Sequence, residues 1–367
     1  MKHSLRSIID ITFRASIFNA VLLVASVISS NLGRADAAGT PGCGISHNSG
    51  YHDAPNGNRE IQSGGRTRYY GMYVPDGYDD DRNTPRKLII DFHGNSGSPK
   101  NQHENSQYYN YPQGKEYLVV YPLGVDESWQ GAPYSTHGVD DLQFTSDLVA
   151  HIRNNYCVNP KQIYASGKSN GGGFVDLLAC SDNGNEFAAF AMYQDQRSIG
   201  PGDRSLLNLS IIMPILWITI QRLREEKIHD TMAAPALYKD NGLYPCGGMR
   251  PRKIIQAHGF KDDTIKYEGG PRLGGETPAI DQWLGWWSTR NNCMDRQELP
   301  ESNEYKKVVY SSCNGVKNVI QHYALYNLGH CWPDDRSDNT DGARADCKDQ
   351  SLDFTSKVLE FFAARSL

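Results

Sequence analysis

The sequence predicts an α/β fold in which helices cover both faces of a mainly parallel sheet. From about residue 66 onward, short apolar runs long enough for buried strands alternate with segments of helical spacing. Such alternation is typical of a parallel sheet, because its crossover helices pack on the two faces. The chain has 367 residues, of which 39% are hydrophobic and 22% charged, so it can bury a core large enough for this fold.

The predicted elements follow this alternation. Residues 87–93 and 117–121 are apolar runs that predict strands on either side of a loop-rich segment. Residues 141–156 carry apolar side chains at helical spacing with charges opposite, which predicts an amphipathic helix. Further strands are predicted at residues 162–165 and 253–257, and further helices at residues 170–180, 280–289 and 352–364.

Composition argues against two classes of partner. The 37 basic and 42 acidic residues give a net charge of −5 at pH 7, without a basic block that would track phosphates. A mean hydropathy of −0.57 is too low for a polytopic membrane protein. We therefore expect a globular protein that binds neither nucleic acid nor a membrane.

The first 37 residues have the pattern of a secretory signal peptide. Lys2, Arg6 and Arg14 precede an apolar run over residues 15–29, and the A-D-A at residues 35–37 is an A-x-A cleavage site. The run of about fifteen residues is shorter than the roughly twenty that a membrane span needs. We expect a secreted, extracellular protein whose residues 38–367 form a single domain.

The cysteine pattern favours disulfides. All eight cysteines follow the predicted cleavage site, and an even number in an oxidising compartment points to disulfides rather than zinc. The sequence does not determine their connectivity. Proximity along the chain suggests that Cys293 pairs with Cys313 and that Cys331 pairs with Cys347.

A candidate nucleophile lies in a G-x-S-x-G motif at residues 167–171. The motif follows the predicted strand at residues 162–165 and opens the predicted helix at 170–180. A nucleophile elbow needs this setting, because its strained turn requires small neighbours for the serine to project from the sheet. Ser169 is therefore the predicted nucleophile.

A serine nucleophile needs a base and an orienting acid, which follow the serine in this order in α/β-hydrolases: serine, acid, histidine. Asp262 lies just past a predicted strand and is the first choice for the acid, with its neighbour Asp263 as the alternative. His330 follows an apolar run and is the predicted base. We interpret His258 and His322 as packed or hydrogen-bonded histidines.

The oxyanion hole is predicted from two backbone N–H groups. Asn170, directly after the nucleophile, supplies one, and Asn95 in the glycine-rich segment at 93–97 supplies the other. Together these parts predict acyl transfer through a covalent serine intermediate, with no cofactor and no metal. No H-E-x-x-H motif occurs, and the acidic residues 79–81 lack the spacing of an EF-hand.

Motifs spread over nearly the whole predicted mature chain carry a resemblance: G-C-G at 42–44, F-H-G at 92–94, G-K-S-N-G-G at 167–172, H-G at 258–259 with Asp262, and G-H-C-W-P at 329–333. With them the chain resembles fungal secreted feruloyl esterases, in a group that also contains polyhydroxybutyrate depolymerase-like proteins and acetylxylan esterases. The resemblance implies an α/β-hydrolase fold and hydrolysis of hydroxycinnamoyl esters on plant cell-wall polysaccharide. It also favours Asp262 over Asp263.

Two rival functions remain. The first is another ester hydrolase on the same scaffold, either an acetylxylan esterase or a polyester depolymerase, because the pocket decides which ester is cleaved. The second is a non-catalytic, glycan-binding protein.

Trp129, Tyr134 and Trp332 are the candidate pocket residues, since a feruloyl ring favours an aromatic surface.

Residues 193–232 are an atypical insert relative to this family. They contain an apolar run at residues 209–220 and the sequon Asn208-Leu209-Ser210. The insert is either a lid over an acyl pocket or an intron translated by a faulty gene model. We favour the intron, because the flanking segments rejoin cleanly.

Overall fold

One large sheet organises the chain. The computed structural model describes residues 39–53, 59–193, 250–272, 275–342, 344–347 and 351–367. The predicted signal peptide at residues 1–37 lies outside them. The strands are β1 (Gly50–His52), β2 (Glu60–Ser63), β3 (Arg66–Val74), β4 (Arg86–Phe92), β5 (Tyr117–Pro122), β6 (Val158–Lys168), β7 (Ala189–Tyr193), β8 (Ile254–Gly259), β9 (Gly270–Arg272), β10 (Gly275–Thr277), β11 (Arg296–Pro300), β12 (Tyr305–Cys313) and β13 (Val316–Leu325).

Five α-helices occur among the described residues, and carboxylates cap two of them. Asp140 caps the second helix by accepting from the Gln143 N–H at 2.9 Å, and Asp353 caps the fifth by accepting from the Ser356 N–H at 2.9 Å. The helices are α1 (Pro99–Ser106), α2 (Asp141–Asn155), α3 (Asn170–Ala179), α4 (Ile280–Arg290) and α5 (Phe354–Ala363).

The sheet confirms the predicted α/β class. Its strand order among the described residues is β1-β3-β5-β4-β6-β7-β8-β13-β12-β11, with β2 paired to β3. The pairings from β5 through β4, β6, β7 and β8 to β13 are parallel, whereas the outer strands pair antiparallel. Parallel strands bring their carboxyl ends to one edge, which is where open α/β sheets place their ligand sites.

Side chains of the sheet alternate between two apolar layers. In β4, Leu88, Ile90 and Phe92 join the layer that also contains buried residues of α2, α3 and α4. Ile89 points the other way, into the layer that contains buried residues of α5. Because both faces are covered, the central strands read as continuous apolar runs rather than alternating ones.

Among the described residues, three disulfides tie loops to this framework. Cys43 pairs with Cys157, Cys293 with Cys313, and Cys331 with Cys347. The two pairings suggested by chain proximity are thus confirmed. Cys246 lies outside the described residues.

The structure describes the first residue of the atypical insert. Tyr193, its first residue by sequence, is the last residue of β7, paired with Lys168 of β6 and Ala257 of β8. Tyr193 is therefore part of the sheet. The remainder of the insert, including the sequon, lies outside the described residues. None of the helices in the described ranges is long and apolar enough to cross a bilayer.

Candidate active site

Ser169 occupies a strained turn between β6 and α3. Its backbone has φ 55° and ψ −122°, a conformation that a non-glycine residue rarely adopts. The turn fits because its neighbours lack side chains: a Cβ on Gly171 would lie 2.2 Å from the Phe92 carbonyl oxygen, and one on Gly167 would lie 2.6 Å from the Gly171 backbone. This is the geometry that the G-x-S-x-G motif predicts.

His330 lies within hydrogen-bond distance of the serine. Its Nε2 is 2.9 Å from Ser169 Oγ, and its Nδ1 is 2.8 Å from Asp262 Oδ2. A carboxylate only accepts hydrogen bonds, so His330 Nδ1 carries a proton and its N–H donates a hydrogen bond to Asp262. In the neutral imidazole, Nε2 is then left to accept from the serine hydroxyl, which is the arrangement that nucleophilic catalysis requires.

Asp262 is held as an acceptor on both carboxylate oxygens. Its Oδ1 accepts from the N–H groups of Thr264 and Ile265, both at 2.8 Å. Burial opposes its ionisation, but the hydrogen bond from His330, the fields of His330 and His258 and the Ile265 N–H together lower its pKa. Asp263, the alternative acid, is exposed.

The two predicted oxyanion donors belong to segments that adjoin the nucleophile. Asn170 is the first residue of α3, where a backbone N–H has no partner within the helix. The 93–97 loop approaches from β4, and a Cβ on Gly94 would lie 3.9 Å from Ser169 Oγ. Ser96 and Gly97 N–H donate to Glu127 and Gly94 carbonyls, whereas no described residue accepts from Asn95 N–H.

Buried side chains fix this loop in ways that the sequence did not indicate. His93 Nδ1 donates to the Gly94 carbonyl at 2.6 Å, and its Nε2 accepts from Gly124 N–H at 3.0 Å. Burial lowers the pKa of His93 to about 4, so it stays neutral in this role. The Asn170 side chain accepts from Trp129 N–H at 2.7 Å, which links the nucleophile turn to the same region.

Two of the three predicted pocket residues are corrected by their burial. Trp129 is 0% exposed, packs edge-on against Phe92, and donates its indole N–H to the His93 carbonyl. Trp332 is 2% exposed and donates to Thr355 Oγ1 at 2.9 Å. Neither ring presents an accessible surface to a ligand, because each is used in internal packing and hydrogen bonding.

The exposed aromatic rings lie elsewhere. Tyr134, the third predicted pocket residue, is 40% exposed. Phe260 and Tyr326, each 38% exposed, directly follow β8 and β13 and stack with centroids 5.9 Å apart. Sequence reasoning did not single out these two rings, although both adjoin the motifs that contain Asp262 and His330.

The remaining histidines of this region are internal, as interpreted. His258 is fully buried, with Nε2 2.8 Å from the Ile265 carbonyl and 3.5 Å from Asp262 Oδ2. His322 is also fully buried, 2.9 Å from Tyr267 OH and in contact with Gln256 Oε1.

An ion pair next to the nucleophile was also missed. Lys168, the residue before Ser169, pairs with Asp341, 173 positions further along the chain. Lys168 is the charged residue at the first x of the G-x-S-x-G motif, and its place beside the nucleophile is the one sequence signal that could have identified it. No local pattern marks Asp341.

A group of potential metal ligands occurs at one place in the described residues. Side-chain ligand atoms of Cys331, Asp346 and Cys347 lie within 4.8 Å of one another. The two sulfurs are joined in a disulfide, so they are not available as thiolate ligands.

The chain is similar in sequence to known proteins. No protein-family model matches the chain. It is 29% identical over 324 residues to "Probable feruloyl esterase C" of Aspergillus niger, covering 86% of this chain and 90% of that protein. It is 32% identical over 110 residues to "Feruloyl esterase B" of Piromyces equi, but these cover 29% of this chain and only a fifth of that protein.

A solved structure, an acetyl xylan esterase from Aspergillus awamori, superposes with a TM-score of 0.50 at 14% identity, covering 86% of this chain and 99% of that one. The fold is thus the α/β-hydrolase fold that the resemblance implied. Sequence similarity to proteins named feruloyl esterases supports a carboxylic ester hydrolase. Within that class, the resemblance to fungal feruloyl esterases is confirmed.

Proposed function

We propose that the chain is a secreted serine esterase that releases ferulic or related hydroxycinnamic acids from plant cell-wall polysaccharide. The observation that carries the proposal is the hydrogen-bonded series of Ser169, His330 and Asp262, with Nε2–Oγ and Nδ1–Oδ2 distances of 2.9 and 2.8 Å. The names of the relatives supply the substrate class, since the A. niger protein matched over 90% of its length is named "Probable feruloyl esterase C" and a relative from Emericella nidulans is named "Feruloyl esterase C".

The proposed reaction has two steps. Ser169 attacks the ester carbonyl while His330 Nε2 takes its proton and then delivers it to the leaving alcohol. Asp262 keeps the imidazole in the required tautomer and stabilises the imidazolium. The N–H groups of Asn95 and Asn170 receive the negative charge of the tetrahedral intermediate, and a water then releases the acid.

Secretion and domain organisation are part of the proposal. Residues 1–37 act as the signal peptide and residues 38–367 as one esterase domain, consistent with three disulfides among the described residues. The apolar insert that follows β7 is a translated intron rather than a lid. Mass spectrometry of the secreted protein tests this, because recovery of the tryptic peptide at residues 205–222 would contradict it.

A second candidate is acetylxylan esterase activity. It is favoured by the superposition on an acetyl xylan esterase and by 32% identity over 107 residues to a bifunctional acetylxylan esterase/xylanase of Neocallimastix patriciarum, which cover 15% of that protein. Both activities need the same catalytic residues, so the pocket separates them. A polyester depolymerase has the same requirement.

Ester hydrolysis by the secreted protein tests these alternatives. We expect ferulate release from methyl ferulate, lost in Ser169→Ala. Cleavage of 4-nitrophenyl acetate and acetylated xylan without ferulate release would keep the serine mechanism and overturn the feruloyl assignment. Absence of any hydrolysis, together with no labelling of Ser169 by a fluorophosphonate, would instead support the non-catalytic, glycan-binding alternative.

A further inference from the structure

A second connection joins the nucleophile turn to the histidine loop. Asp341 Oδ2 accepts from Lys168 Nζ and also from the Trp332 backbone N–H at 2.8 Å. Lys168 immediately precedes Ser169, and Trp332 is two residues after His330. One carboxylate oxygen therefore bridges the segments that carry the two reacting groups, independently of the hydrogen bond between those groups.

The bridge is built from partly desolvated charges. The Lys168 and Asp341 side chains are 13% and 12% exposed. An ion pair shielded in this way is screened by salt less than a surface pair. Hydrogen bonds that involve a charged partner are also roughly twice as strong as neutral ones.

The carboxylate itself is held on an ordered loop. Asp341 N–H donates to Asn339 Oδ1 at 2.9 Å, and Asn339 Nδ2 donates back to the Trp332 carbonyl at 3.2 Å. The neighbouring Thr340 hydroxyl donates to Asn105 of α1 at 2.9 Å. The position of Asp341 is therefore set by contacts with the histidine loop and α1, and does not depend on Lys168 alone.

We propose that Lys168 and Asp341 are positioning residues that set the distance between Ser169 and His330. The inference rests on the proposed serine esterase function. Lys168 closes β6 one residue before the nucleophile, so its ammonium group fixes the turn relative to Asp341. The Trp332 N–H brings the histidine loop to the same carboxylate. Loss of either charge removes the bridge, while every catalytic group remains present.

Steady-state kinetics of Lys168→Met and Asp341→Asn test the proposal with 4-nitrophenyl acetate. We expect kcat to fall about 10- to 100-fold, because a misplacement of about 1 Å can cost about 100-fold in rate. KM changes less than about threefold, since neither residue is expected to contact the ester. The rate of fluorophosphonate labelling of Ser169 falls in parallel with kcat.

The double variant and a conservative variant distinguish positioning from general destabilisation. Lys168→Met/Asp341→Asn should lose about as much kcat as either single variant, because residues that act as one unit are not additive. Lys168→Arg should recover most of kcat, since a guanidinium also pairs with a carboxylate.

Lys87 offers a matched control. It is a strand lysine with a 17% exposed side chain, paired with Glu116, but it lies at the opposite, amino-terminal end of β4. Lys87→Met should keep the kcat of the wild-type protein.

Kinetic results that overturn the proposal are distinct from failure of the esterase function. If the wild type is active and Lys168→Met keeps kcat within threefold of it, with or without a change in KM, the bridge has no positioning role. Additive losses in the double variant, or equal losses in Lys87→Met, contradict it as well. A wild-type protein that neither hydrolyses esters nor labels at Ser169 overturns the proposed function and this inference together.

Discussion

Two histidines close together in sequence differ in what they can do. His330, on the loop after β13, is 8% exposed and lies between an ionised carboxylate and a serine hydroxyl. His322, inside β13, is 0% exposed and is fixed by Tyr267 OH and Gln256 Oε1. The first has a partner that stabilises a proton it gains, whereas the second has only neutral partners.

Electrostatics extends this difference to the rest of the region. Burial, with the fields of His258, Lys306 and Arg296, lowers the pKa of His322 well below its ordinary value. Burial also lowers the pKa of His258 to about 4, although Asp262 and the Ile265 carbonyl oppose the shift. Both therefore stay neutral at working pH. His330 differs from both because it contacts the serine hydroxyl and a carboxylate together, so proximity to the site is not sufficient for the proposed role of base.

Replacing His330 should have the largest effect. His330→Gln removes the acceptor for the serine proton, and we expect kcat for 4-nitrophenyl acetate to fall by at least about 10,000-fold. The thermal unfolding midpoint should change by only a few degrees, since glutamine retains an amide N–H that can donate to the buried Asp262 carboxylate. Retention of more than about 1% of wild-type kcat would show that another group acts as base.

Asp262→Asn should have the second-largest effect. An amide at this position allows the wrong imidazole tautomer, and loss of an orienting carboxylate in serine hydrolases costs on the order of 10,000-fold in kcat. We expect a loss of about 1,000-fold or more, with Asp263→Asn, at the adjacent exposed position, as the matched control. If the two variants lost activity equally, the assignment of the acid would be wrong.

The sequence allowed much of this site to be predicted because its signals are local. The G-x-S-x-G turn is specified by small residues next to Ser169, and the acid and histidine follow directly after strands whose carboxyl ends meet at one edge. The disulfides near α4 and after His330 could likewise be anticipated, because their cysteines are close along the chain.

Side-chain direction and long-range pairing could not be predicted. Trp129 follows a strand closely enough to suggest a pocket, but the turn of its ring into the core depends on Phe92 and on the His93 carbonyl. The Lys168–Asp341 pair joins positions 173 residues apart. Neither relation leaves a periodic or local signal in one sequence, because both are set by packing in three dimensions.

Acid should destabilise the fold through its buried histidines. Burial is the main cause that lowers the pKa of His93, His103 and His258 to about 4. Below pH 6.5 these histidines bind more protons in the unfolded chain than in the folded one. Their contribution to the stability of the fold is therefore lost as pH falls from about 6.5 to about 4. Each of the three histidines lowers the free energy of unfolding at pH 5 by about 2 kcal/mol relative to its value at pH 7.5.

Asp91 opposes this trend. Burial raises its pKa to about 6 despite hydrogen bonds from Ser166, Ser106 and Gln102, so its contribution to stability increases as pH falls from about 6 to about 4. Asp91 raises the free energy of unfolding at pH 5 by about 1 kcal/mol relative to pH 7.5, which is less than the amount by which one histidine lowers it. Urea unfolding at pH 7.5 and pH 5 measures the sum. A free energy of unfolding that is equal or higher at pH 5 would contradict neutral burial of these histidines.

The smallest effect is expected from His322→Leu. The substitution leaves the Tyr267 hydroxyl and the Gln256 side chain without their buried partner, which should lower the free energy of unfolding by about 1 to 3 kcal/mol. His137→Leu, at an exposed loop position, is the matched control and should change it by less than about 0.5 kcal/mol. Because His322 touches no group of the proposed reaction, kcat should stay within twofold of wild type. A 100-fold loss of kcat in a folded His322→Leu protein would mean that the buried histidine takes part in proton transfer, and the distinction drawn between it and His330 would fail.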